Sequence, residues 1–370
     1  MRPAGQLDVR RHNSALLLAA VTANPGCSRA GLAATTGLAK ATVSSLVDHL
    51  VAGGLVAETG PVERTGRGRT GTGLALSATG PHGVGVAVGV DHVTACLVDP
   101  LGGVRARRVR SGDNRGRAPE DVLAAVTRVV RSLAEQGVPV GGVGVAVPGL
   151  VRDGVLLSAP NLDWSEVDIA LDVGVPVTVV NEANAAALAE LRPGGPRDYV
   201  LVSGEVGVGA GIVRDGALLT GVHGFAGELG HLCVDPSGPR CGCGARGCLE
   251  TYAGTAALPT RQAAADGDPE ALSALESAGT RLGQALSGVV NLLDIPTIVL
   301  GGDHARLAPW LLGPLRAELA RRVIGARWSP PEVVASTLGR EAAALGVARA
   351  AVDHIRADPD SYLRGLGQAL

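Results

Sequence analysis

The sequence predicts an α/β chain headed by a small winged helix-turn-helix, on three observations. Residues 8–58 alternate helical patterns with short breaks at Pro25-Gly26, Gly37 and Gly53-Gly54. Residues 59–73, TGPVERTGRGRTGTG, are rich in glycine and arginine and cannot form a core. From Val84 the pattern changes to β-branched runs, VGVAVGV, VGVAVP and VTVV, with helical stretches such as 119–136 between them.

A length of 370 residues suits about two to three domains. With 46% hydrophobic and 18% charged residues the chain can bury a sizeable core, which excludes a disordered protein. Only 2% is aromatic, so that core must be Ala, Val and Leu. Lys40 is the only lysine, which reads as mutational bias rather than function. The net charge of -2 hides an asymmetry: residues 1–80 carry eight Arg/Lys against four Asp/Glu. A mildly basic head on an acidic body is compatible with phosphate contacts at one end. No fixed short repeat is present, and no apolar run reaches the roughly 20 residues of a membrane span.

Residues 1–79 form the predicted DNA-binding head. Arg10-Arg11, Ala15 to Val21 and Gly26-Cys27 imitate a secretion signal, but the apolar stretch is short and leads into a coherent DNA-binding pattern. It reads better as a first helix with Leu17 and Val21 inward. Downstream, small Ala33 suits a helix crossing, Gly37 a turn, and Val43 packing of the second helix on the first. Leu46, Val47 and Leu50 continue the buried stripe. The opposite face presents Lys40, Thr42, Ser44, Ser45 and His49 to solvent or to a major groove, with Ser28 beside it and Arg29, Lys40, Arg67 and Arg69 as expected phosphate contacts. Leu55-Val56-Ala57 and Leu74-Ala75-Leu76 would be wing strands, with Arg64, Arg67 and Arg69 at a tip that can approach phosphates or a minor groove. A helical hairpin used for dimerisation is the alternative reading.

Six cysteines are present, and three of them cluster. In VHGFAGELGHLCVDPSGPRCGCGARGCLET, His231, Cys241, Cys243 and Cys248 supply one imidazole and three thiolates. That is a closed tetrahedral zinc set with no vacancy for a catalytic water, so the metal is expected to be structural. It also points to a reducing cytoplasm rather than a disulfide framework.

These motifs resemble the ROK family of repressors, open reading frames and sugar kinases, from about residue 8 to 355. The resemblance rests on the helix-turn-helix, GFAGELGH, CxCGxxGC followed by Leu249-Glu250, NEANAAALAE at 181–190, and VLGG at 299–302. It implies a two-lobed, actin-like (ribonuclease H-like) body of sugar-kinase type, with lobes at 83–182 and 183–355 and a tail at 356–370. It also implies a sugar cleft between the lobes and a homodimer or homotetramer. The family's sugar contacts fall on Asn161, Asn181, Glu182, Glu228, His231 and Glu250, with Gly149 a further candidate. Carboxylates and amides suit vicinal hydroxyls. His231 would bind zinc through one ring nitrogen and offer the other to a hydroxyl. Ala39 stands where the family usually has a Ser helix cap.

The family's kinases hold ATP with two glycine-rich loops and use an aspartate base, and this chain departs at all three places. Asp91-His92-Val93-Thr94 stands at the first loop, Gly204-Glu205-Val206-Gly207 at the second, and Glu182 at the base. Glu182 could still take a proton. Side chains where backbone must approach phosphate compromise the positioning on which phosphoryl transfer depends. The expectation is a non-catalytic sensor and regulator whose partners are an inverted-repeat operator and a sugar or sugar phosphate. An active sugar kinase carrying a DNA-binding head is the alternative.

Overall fold

The computed structural model describes residues 6–62 and 71–368. Three helices, Gln6–Ala23, Arg29–Thr36 and Lys40–Ala52, pack on a three-stranded sheet whose central strand, Gly71–Leu76, lies between Cys27–Ser28 and Val56–Val62. Val43, Leu46, Val47 and Leu50 close on Leu17, Leu18, Val21 and Leu32, as the helical spacing requires. The segment that imitates a secretion signal therefore supplies core residues of the head, Leu17, Leu18 and Val21. Gly37 ends its helix at φ +73, a left-handed conformation that glycine adopts without penalty, and its N–H donates to the Ala33 carbonyl at 3.0 Å. The wing strands run longer than expected, with a bulge between Thr59 and Pro61, where proline has no N–H for the ladder. Arg64, Arg67 and Arg69 lie outside the described residues.

The body holds two five-stranded sheets of one topology. In spatial order the first runs Val177–Asn181, Val140–Val147, His82–Val88, His92–Val98, Val104–Ser111. The second runs Glu332–Ala335, Thr297–Gly301, Tyr199–Gly204, Val208–Arg214, Ala217–Leu218. In each, an antiparallel meander is extended by two parallel strands. The α/β body expected from the strand runs is present.

The valine–glycine alternation of the first sheet decides its packing. Strand side chains alternate faces, so Val84, Val86, Val143 and Val145 fill one side, under the amphipathic helix Pro119–Ala134. The other side offers Gly83, Gly85 and Gly144, and the helix Ala342–Ala357 lies directly on it. A Cβ at Gly85 would stand 1.9 Å from the Ala344 carbonyl oxygen, and one at Gly144 would stand 2.5 Å from the Val347 Cβ. That helix in turn meets Glu182–Glu190, where a Cβ at Gly346 would lie 1.8 Å from the Ala185 carbonyl oxygen.

This packing corrects the expected boundaries twice. Residues 342–357 belong with the first sheet although they follow the second lobe in sequence. Nor do the described residues of the expected 356–370 tail stand apart, because Pro359–Gln368 is a helix docked on the head. Tyr362 and Leu363 pack against the head core, and Arg11 binds Asp358. Asp360, almost wholly buried, accepts from Ser14 Oγ at 3.2 Å and faces His49 Nε2 at 3.4 Å.

The recognition helix Lys40–Ala52 starts without a side-chain cap. Ala39 has the extended backbone of a cap residue (φ -60, ψ 140) but no oxygen to offer the first-turn amides. Ala39→Ser should stabilise the head by about 0.5–2 kcal/mol. The check is slower hydrogen exchange at the Ala41 and Thr42 amides of the full chain; unchanged exchange would show that serine does not cap there.

Candidate functional site

The head and the body each carry a candidate surface. On the head, Lys40, Ser44 and Ser45 project from the recognition helix into solvent, and Thr42 is half-buried. Two neighbours named with them do other work. Ser28 caps the helix Arg29–Thr36, accepting from the Gly31 amide at 3.2 Å. Arg29 was expected at a phosphate, but its guanidinium is held by Asp48 and Glu58, each at 2.7 Å. Two carboxylates neutralise it, so among the described residues of the recognition helix and its neighbour Arg29 the free positive charge comes from Lys40. His49 turns towards Asp360 of the docked C-terminal helix.

In the body, Asn161, Asn181, Glu182, Glu228, His231 and Glu250 all line one cleft of about 200 Å³, together with Gly149. Residues from Gly149 to Glu250 thus converge, and several are placed by a local device. Asn181 ends a parallel strand and caps Glu182–Glu190: its Oδ1 accepts from Ala183 N at 2.9 Å and Asn184 N at 3.2 Å. Its Nδ2 donates to the Gly149 carbonyl at 2.8 Å, which ties both sides of the cleft. The cap takes the carbonyl lone pairs, so Asn181 reaches a ligand only through its remaining amide hydrogen. Glu250 accepts from the Val208 amide at 3.1 Å and sits against Gly207, where a Cβ would lie 2.1 Å from its Oε2. Burial, opposed by nearby His231, raises the Glu228 carboxyl above its usual range.

His231 links this cleft to the cysteines. Its Nδ1 faces Cys241 Sγ at 3.8 Å, while Nε2 faces Glu228 Oε2 at 4.0 Å. Cys243 and Cys248 Sγ are 3.7 Å apart, and all four ligand atoms lie within 4.8 Å of one another. A tetrahedron with metal–sulfur bonds of about 2.3 Å has edges of about 3.8 Å. The donor set and its spacing therefore fit a metal ion. The sequence reading missed what braces this loop. Asp235 accepts from Tyr252 Oη at 3.0 Å and Arg281 at 3.1 Å, and Arg281 lies 4.9 Å from the Tyr252 ring centre. Arg281 stands on the long helix Pro269–Leu293, 46 residues from Asp235, and no motif announces it.

A smaller cavity of about 140 Å³ adjoins the cleft through Pro148, Asn161 and Glu182. Its lining includes His92, Glu205, Val206, Arg306 and Arg340. The His92 ring lies over Gly89, where a Cβ would be 2.6 Å from its Cε1, and its Nδ1 bonds Asp91 at 2.6 Å. Burial raises the Glu205 carboxyl, against the pull of His92 and Arg340. Burial, and secondarily Glu205, push Glu182 up to about 8.

A winged-helix head on a two-lobed body with a polar, carboxylate-lined cleft defines a DNA-binding protein built on a sugar-kinase framework. The chain belongs to the ROK family, whose model matches residues 83–354, and a MarR family model matches residues 8–68. It is 32% identical to the xylose repressor of Bacillus subtilis, over 95% of this chain and 97% of that one. It superimposes on a ROK family transcriptional regulator, a homologue of the E. coli MLC protein, with TM-score 0.81 and 27% identity, over 96% of this chain and 99% of that one. A ROK glucokinase from Streptomyces griseus, solved with glucose and AMPPNP, matches at TM-score 0.63 and 30% identity, over 73% of this chain and 98% of that one.

The Glu182 carboxyl gives a pH signature. Its pKa is raised on folding, so the folded state holds a proton that the unfolded chain gives up above the ordinary carboxyl range of about 4.3. That contribution to stability is complete below the unfolded pKa and is lost as pH rises through about 8. Relative to Glu182→Gln, the wild-type melting temperature should fall between pH 5 and 9. Parallel curves would place an ordinary carboxylate there.

Proposed function

We propose that this protein is a sugar-responsive, DNA-binding repressor of carbohydrate uptake or catabolism genes, whose kinase-like body senses its ligand without turning over ATP. The observation that carries this reading is the convergence of Asn161, Asn181, Glu182, Glu228, His231 and Glu250 on one cleft, in a chain that also carries a winged-helix head. A monosaccharide offers vicinal hydroxyls, and paired carboxylates with an imidazole and amides are the groups that hold them. Likeness to a xylose repressor makes a pentose the first ligand to try. The operator would be an inverted repeat bound by a homodimer or homotetramer, with Lys40, Thr42, Ser44 and Ser45 at the major groove and Arg67 and Arg69 at the wing. Among the described residues no helix is long and apolar enough to cross a membrane.

Against catalysis stand His92 and Glu205. Phosphoryl transfer depends on positioning and on stabilising charge, and here a ring and a carboxyl line the cavity beside Glu182. Each 1.36 kcal/mol lost from the transition state is about tenfold in rate. Calorimetry on the full chain should show binding of a pentose or hexose and none of ATP. A coupled assay yielding sugar phosphate at ordinary kinase rates would overturn the reading.

The metal in this proposal is structural zinc held by His231, Cys241, Cys243 and Cys248. When bound, zinc supplies four bonds that order a loop carrying its own brace to Arg281. Cys243→Ser should lose the single equivalent of zinc and the sugar response, while DNA binding survives. A zinc-free variant that still answers sugar would make the metal incidental to sensing.

A further inference from the structure

A further recess, of about 700 Å³, lies where the head meets the body. Ala75 and Leu76 of the head form one wall, and Arg192, Arg197, Arg349 and Arg356 of the body line the other. Asp353 is the one acid lining it among the described residues. The four cations are unevenly satisfied. Arg192 pairs with Glu190 at 3.0 Å, and Arg356 with Asp353 at 2.8 Å. Arg197 and Arg349 hydrogen-bond to backbone carbonyls, of Asp215 at 2.5 Å and Ala189 at 2.9 Å, and neither is ion-paired among the described residues. Arg356 keeps one N–H, Nε, buried without a partner. Burial, and then the charge of Arg192, hold Arg349 below its ordinary pKa.

We propose that this recess binds a phosphorylated small metabolite, at a site separate from the sugar cleft. Guanidinium groups donate paired N–H bonds that match phosphate oxygens, and several around one anion relieve their mutual repulsion. The volume suits a small organic phosphate, and half-buried Ala75 and Leu76 give its carbon skeleton an apolar wall. A DNA phosphate is the less suited occupant, because no residue of the recognition helix Lys40–Ala52 lines the recess. Since head and body each form a wall, an anion bound there favours one placement of the head and is linked to operator affinity. The proposal stands independently of which sugar the other cleft takes.

The test is calorimetric titration of the full chain with pyrophosphate at fixed ionic strength. Arg192 and Arg197 are exposed, so Arg192→Gln/Arg197→Gln should fold normally. That variant should bind at least about tenfold more weakly. Arg349→Gln should do likewise, while Lys40→Ala and Glu250→Gln, altered at the DNA face and the sugar cleft, should bind like wild type. A wild-type chain that binds no pyrophosphate, or binding that Lys40→Ala removes and the arginine variants keep, would overturn the proposal.

Discussion

The structure depends on one close contact, the meeting of two small-residue helices with each other and with glycine-bearing strands. Glu182–Glu190 and Ala342–Ala357 sit between the two sheets, and their shared core is largely alanine. Gly83, Gly85 and Gly144 let the second helix down onto one sheet, and Gly209 and Gly211 let the first down onto the other. A Cβ at Gly211 would stand 2.5 Å from the Ala187 Cβ. Such contacts tolerate no added methylene, since packed interiors have no room to yield. The residues of the cleft are set by this contact, because Asn181 and Glu182 begin the buried alanine helix.

Several polar groups consequently serve both structure and site. Asn181 caps the helix and ties Gly149, so the atoms that hold the backbone also shape the cleft. His231 turns one nitrogen to the cysteines and the other to Glu228, which makes the cysteine-bearing loop a wall of the cleft. Arg281, Tyr252 and Asp235 extend that bracing to a long helix of the second lobe. A ligand closing on Glu228 and His231 is thereby connected to elements that reach well beyond it.

The chain's end closes a circuit back to its beginning. The helix Ala342–Ala357 lies on the first-lobe sheet, and the helix that follows it docks Tyr362, Leu363 and Asp360 against the head. Ile355 belongs to the head's own hydrophobic cluster. The head is thus held by the last two helices of the body as well as by its covalent link. That arrangement gives a change in the body a packed route to the recognition helix, on which His49 faces Asp360.

The sequence by itself determined the kinds of element and the chemistry of the site. Helical spacing gave the buried stripe of the head, alternation gave the strands, and GFAGELGH with CxCGxxGC gave the residues that gather at the cleft and in the His/Cys cluster, because these signals are local. Only tertiary structure decided which partners meet. Arg29 read as a phosphate contact, but Asp48 and Glu58, 19 and 29 residues away, neutralise it. The last residues read as a tail, but they dock on the head, and residues 342–357 lie on a sheet that begins at His82. Pairing over such separations is set by the shape complementarity of glycine and alanine surfaces, which has no period along the chain.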